Sequence, residues 1–280
     1  MMFVIEFGST KRGDADWTSD RDVLLLGDRW IEIEQNKIRF KALGYNVSCF
    51  SIGCATYLLR QGSLFFKHVI DEGSLISGCE PDYRALMSKW KRPNSYDREI
   101  RSTTDLLELL LFTPRCNRGL TIAVDILVNA LRSILIRRLA EEGRYIFSWR
   151  RILAESSELG FFPSKAQRPI LAARMIKNQY RQSGQTNAEL QLIESLTEVL
   201  RAASGCAECT PRMQFTDRRA STRLTERFPD HSYKQLRSFE FLCAQYPRDP
   251  GLAQFEASIK EPNYFCGATR RNIDVPNFAY

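Results

Sequence analysis

Three short apolar runs open the chain, at Phe3–Phe7, Asp22–Leu26 and Asn46–Ile52, each followed by glycine or small polar residues. Runs of this length are too short for stable helices and match half- or fully buried strands. Leu75–Ile76, just after Gly73, starts a fourth. Between them, Trp30–Leu43 and Ser63–Ile70 carry apolar residues at helical spacing. A chain with this pattern can bury its apolar faces only by laying helices on a small sheet. From about Pro81 the pattern turns helical. Ser102–Asp105, Thr186–Glu189 and Ser232–Gln235 read as helix-opening capping boxes, the second helix stopping near Gly205 and the third before Pro247. The expected fold class is α+β: a small mixed-sheet core over residues 1–80, an all-α domain over 81–260 and an extended C-terminal tail over 261–280.

Charge narrows the partners. The formal net charge is +7. The stretch from Arg132 to Arg181 holds eleven basic and four acidic residues, so it alone matches the whole excess. Such a segment suits a polyanion, as a solvated arginine-rich helical surface also would. Met1–Phe7 has neither a basic leader nor a long apolar stretch, and the eight cysteines are scattered. A cytoplasmic protein with free thiols is therefore expected. The most apolar run, Leu120–Ile136, contains Asp125, Asn129 and Arg132, which marks a buried helix and no membrane span.

The chemistry concentrates near the N-terminus. Phe7-Gly8-Ser9-Thr10-Lys11-Arg12-Gly13 is followed by Ser19-Asp20-Arg21-Asp22 at the head of the second apolar run. Residues two apart on a strand face the same side, so Asp20 and Asp22 aim two carboxylates at one place. Close carboxylates repel unless a cation sits between them, and hard dications such as Mg²⁺ or Mn²⁺ prefer oxygen ligands. Two such ions about 3.5–4 Å apart can clamp an in-line displacement at phosphorus. Gly8 lets the backbone approach phosphates, the Ser9 hydroxyl can donate to them, and Lys11 or Arg12 can neutralise their charge.

This string resembles the signature of the DNA polymerase β-like nucleotidyltransferases, in which Gly-Ser, a loop and an Asp-x-Asp at a strand start follow one another; the resemblance covers roughly the first 80 residues. It implies Asp20 and Asp22 as catalytic and metal-holding residues, and Gly8, Ser9, Lys11, Arg12 and Ser19 as nucleotide-binding ones. The implied reaction moves a nucleoside or deoxynucleoside monophosphate from a triphosphate to a hydroxyl, with pyrophosphate released. A departure lies on the third run, where Ser48 occupies the place of a third carboxylate. At the level of architecture the chain also resembles the antiphage Hailong-type nucleotidyltransferases, which make single-stranded DNA. That implies a short oligonucleotide product, antiviral defence and a single-stranded nucleic-acid partner. A toxin–antitoxin type enzyme modifying a protein or transfer RNA is the alternative, as is a degenerate nucleotide-binding module. A homo-oligomer is compatible with every version.

Weaker signals remain. Cys206 and Cys209 have metal-ligand spacing, with Cys243, Cys266 and His231 at irregular distances, and free thiols are the better reading. Arg227–His231 has a proline inside it, which counts against a second active site on a helix. Tyr145, Phe147 and Trp149 lie among arginines, where aromatic rings can stack bases, though packing suits two of the three better. His68 reads as a packing or hydrogen-bonding residue, and Asp71 and Glu72 as the end of its helix. Tyr280 ends a tail able to reach about 66–72 Å when extended, so its phenol is a candidate acceptor hydroxyl.

Overall fold

The computed structural model of the chain describes residues 1–8, 21–205 and 233–245. Over these residues the fold is α+β, with a four-stranded mixed sheet and ten α-helices. Contacts divide the described chain into two units. One comprises residues 1–95 together with Gly143–Arg151, and the other 96–142 and the described residues from Ile152 onward. The first unit thus extends past residue 80 and recruits a short segment from further along the chain.

In the first unit the strands are β1 (Met2–Phe7), β2 (Arg21–Gly27), β3 (Tyr45–Ser51) and β4 (Ser74–Ser77), in the order β3-β2-β1-β4. β1 pairs antiparallel with β2 and with β4, whereas β2 and β3 run parallel. The parallel pair needs a crossover, which is helix α1 (Trp30–Ala42). Alternation along the strands sends Val4, Val23 and Leu25 to the face covered by Ile33 of α1. The opposite face carries Phe7 and Phe50. Phe65 of α3 (Leu64–Glu72) meets both rings at 5.6 Å. Between β3 and α3 lies α2 (Ile52–Arg60), opened by Ser51, whose hydroxyl accepts the Cys54 N–H at 3.1 Å. α4 (Glu80–Met87) follows β4.

The described part of the second unit is built from α5 (Asp97–Thr104), a 3-10 stretch (Asp105–Phe112), α6 (Asn117–Glu141), α7 (Trp149–Glu158) from Ile152 on, α8 (Gln167–Ser183), α9 (Leu190–Ser204) and α10 (Tyr233–Gln245). α6 is its axis, packed against α5, α8, α9 and α10. Among the described residues α6 is the one helix long and apolar enough to cross a membrane, and 83% of its apolar window is buried inside the protein. This is the buried helix expected around Leu120–Ile136.

Two of the expected helix starts are corrected. Ser102, Thr103 and Thr104 do not open a helix; they lie in the last turns of α5. Thr103 Oγ1 donates back to the Glu99 carbonyl at 2.8 Å and Thr104 Oγ1 to the Arg101 carbonyl at 2.7 Å, so these hydroxyls close a helix from within. α9 begins later than the Thr186 box, with Glu189 at the N-cap and no side-chain cap bond. Its end is as expected: Gly205 takes φ of 66°, the left-handed cap that glycine adopts without penalty. α10 starts at Tyr233 and ends before Pro247, while Ser232 lies outside the described residues.

Candidate active site

Because β1 and β2 are antiparallel neighbours, the last residue of β1 and the first of β2 share one edge of the sheet. Phe7 is opposite Asp22 in the register. The chain leaves this edge at Gly8 and returns to it at Arg21. Gly8 has φ of +91°, and a Cβ added there would stand 2.7 Å from Asp22 Oδ2. Glycine is thus required twice over, by the backbone angle and by the carboxylate lying against it. The spacing of Gly8 and Asp22 in sequence becomes a direct approach in space.

Asp22 is half-buried. Its other oxygen, Oδ1, accepts a hydrogen bond from Asn46 Nδ2 at 2.8 Å. The parallel β2–β3 register puts Asn46 directly beside Asp22 and moves Ser48 on to Leu24. The β3 residue next to the carboxylate is therefore Asn46 and not Ser48, and it brings an amide. Arg21 turns to the other face, where its guanidinium lies 4.1 Å over the Tyr45 ring, within hydrogen-bonding reach of the Tyr45 hydroxyl and 4.0 Å from Glu6. Tyr45 donates in turn to Glu6 at 3.2 Å. Alternation along β2 thus separates the cation at 21 from the anion at 22.

His68 follows the packing role expected of it. It is 3% exposed, stacks on Phe147 with centroids 4.3 Å apart, and meets Phe7 edge-on at 5.4 Å. Its Nε2 bonds Glu72 at 2.6 Å, one turn further along α3. Lys67 pairs with Asp71 and sits over the Tyr145 ring at 4.7 Å. Phe147 is thus held in the core of the first unit and is not open to stack a base, whereas Tyr145 is half-buried beneath a lysine of the same unit.

The basic stretch from Arg132 to Arg181 is also only partly a surface. Arg137 is 7% exposed and donates to Ser133. Arg181 pairs with Asp125 and with Glu240, the latter at 3.3 Å, and Lys177 donates to Asn129 at 2.6 Å. Arg237 of α10 joins the same cluster, 2.9 Å from Asp125. Asp125, at 0% exposure, is the centre of this network. Burial pushes its carboxyl up, but Arg237, Arg181 and Lys177 outweigh that and hold it well below the usual carboxylate range. Burial pulls Lys177 down to about 8; Asp125 works against the shift, while Arg132, Arg181 and Arg237 add to it. Much of the positive excess is consumed inside the second unit. Arg150, Arg151, Lys165 and Arg168 remain exposed.

Of the expected site residues, the structure brings together Gly8 and Asp22. Ser9, Lys11, Arg12, Ser19, Asp20 and Tyr280 lie outside the described residues, as do Cys206, Cys209, Arg227, His231 and Cys266. Cys243 is buried, and no cluster of three His, Cys, Asp or Glu side chains is present among the described residues. Asp22 Oδ2, lying against the bare Gly8 backbone, is the feature that fits a cation: a hard carboxylate oxygen at the edge where the chain leaves the sheet. Comparison of the chain with protein-family models, curated proteins and solved structures finds no match.

Proposed function

We propose that the chain is a metal-dependent nucleotidyltransferase of the polymerase β-like type, working at the edge where β1 ends and β2 begins. The observation that carries the reading is the contact between Gly8 and Asp22, members of two separate parts of the Gly-Ser…Asp-x-Asp string. In this reading Asp22, with Asp20 two residues before it, holds Mg²⁺ or Mn²⁺. The dication supplies positive charge that offsets the charge building on the phosphates. Gly8 gives a nucleoside triphosphate room to approach the backbone, and Ser9, Lys11, Arg12 and Ser19 bind its phosphates. The acceptor hydroxyl forms a new O–P bond at the α-phosphorus, the bond to the β,γ-pyrophosphate breaks, and the hydroxyl proton passes to solvent. The second unit is assigned as the all-α domain, with its exposed Lys165 and Arg168 offered to a nucleic-acid product.

The favoured product is a short single-stranded DNA made for antiphage defence in the cytoplasm, begun on a hydroxyl such as that of Tyr280. The resemblance of the motif and the architecture supports this version. Modification of a protein or transfer RNA is the competing enzyme reading. One observation favours a third, a module that binds nucleotides without transferring them: β3 offers Asp22 an amide where a carboxylate would add charge. Incubation with each α-labelled triphosphate and Mg²⁺ separates the three. A ladder indicates polymerisation, and one labelled macromolecule indicates modification. Binding without transfer indicates the module. Mass spectrometry of the C-terminal peptide reads whether Tyr280 has accepted a nucleotide.

A further inference from the structure

We propose that Asn46 is a positioning residue that sets the Asp22 carboxylate for its cation, an inference resting on the reading of Asp22 as a metal-holding residue. The parallel register makes Asp22 and Asn46 cross-strand neighbours. Side chains so paired project from the same face. Asn46 Nδ2 donates to Oδ1 at 2.8 Å, while Oδ2 lies on the Gly8 side. The two oxygens are thereby given different tasks: Oδ1 is held by the strand β3 amide, and Oδ2 is directed to the edge where the chain leaves the sheet. An amide suits this position because its N–H donates to the carboxylate and fixes which way it faces. Held at Oδ1, the carboxylate loses the freedom to rotate, so a cation arriving at Oδ2 meets a ligand already oriented. Asn46 is exposed at the end of an edge strand, so its side chain is not needed to fill the core.

The test is Mn²⁺ binding to the full-length protein, followed by electron paramagnetic resonance in wild type, Asn46→Ala, Asp22→Asn and the double variant, with melting temperature measured on each. Partners that orient a ligating carboxylate are worth about 10–100-fold in metal affinity, and an exposed one belongs at the low end. Asn46→Ala is therefore expected to weaken binding about tenfold with its melting temperature retained. Because Asn46 acts through Asp22, its replacement in the Asp22→Asn background should change the affinity no further. Equal Mn²⁺ affinity in wild type and Asn46→Ala, with Asp22→Asn weakened, overturns the positioning role and leaves the reading of Asp22 standing. A full tenfold loss on adding Asn46→Ala to Asp22→Asn overturns it too, because the residue would then act independently of Asp22. Absence of saturable, Asp22-dependent Mn²⁺ binding in the wild type overturns both.

Discussion

Replacing Asp125 by Asn removes one negative charge from the middle of the second unit and leaves the shape of the side chain almost unchanged. Asp125 is fully buried, with Arg237 at 2.9 Å, Arg181 in direct contact and Asn129 Nδ2 at 3.1 Å from Oδ1. Glu240 would be left to serve both guanidiniums, one of which, on Arg237, is only 4% exposed. Deleting one partner of a buried ion pair costs about 3–5 kcal/mol, because the surviving charge stays desolvated. Arg181 is 39% exposed and recovers part of its hydration, which points to the lower end, about 3 kcal/mol. Urea unfolding at pH 7 measures this directly, as a lower midpoint at an unchanged slope. Acid titration gives a second reading. The folded pKa of Asp125 lies below the unfolded one, so its contribution is complete above about pH 5 and is lost as pH falls through the folded value. The variant should therefore lose less stability than wild type below about pH 4. A cost under about 1 kcal/mol with the same acid profile as wild type would refute the network as a stabilising centre.

Lys177 makes a pH prediction of the same sign at the alkaline end. Its pKa falls from an ordinary 10.5 to about 8, so the unfolded chain binds more protons between those values and stability rises with pH across that window, by at most about 3 kcal/mol. The stability difference between wild type and Lys177→Met should shift in favour of wild type from pH 8 to pH 10, and a pH-independent difference would contradict the assignment. Gly8→Ala places a methyl 2.7 Å from Asp22 Oδ2 at a φ of +91°, so it should cost about 1–3 kcal/mol and lower nucleotidyl transfer at least tenfold. Unchanged stability and transfer would argue that Gly8 does not face Asp22.

The strands were legible because each is a short apolar run, and the pairing of β1 with β2 carried the Gly8–Asp22 approach with it. The neighbour of Asp22 on β3 was not. Composition locates β3 but not its register, and the β2–β3 pairing puts Asn46 beside Asp22 and Ser48 two residues further on. Helix α2 went unread because Ile52 closes an apolar run and opens a helix at once, a double role visible only when the Ser51 hydroxyl is seen capping it. Arg181 reads as surface because its partners are remote: Asp125 lies 56 residues before it and Glu240 59 after it. No local pattern announces a pair at that separation. The same holds for His68 and Phe147, which stack although they belong to distant parts of the chain. The Ser102 box does not open a helix for a local reason, since Thr103 and Thr104 satisfy carbonyls inside a helix as readily as amides at its head.

Cation-dependent transfer of nucleotide at Asp22 is the activity proposed for the protein. Its most direct test follows α-phosphate label and released pyrophosphate together, with Mg²⁺ present and then chelated, in wild type and in Asp22→Asn. Label captured by an acceptor in step with pyrophosphate, abolished by chelation and by the substitution, is the predicted result. Wild-type protein that holds the triphosphate intact, or transfer that persists in Asp22→Asn, would contradict it.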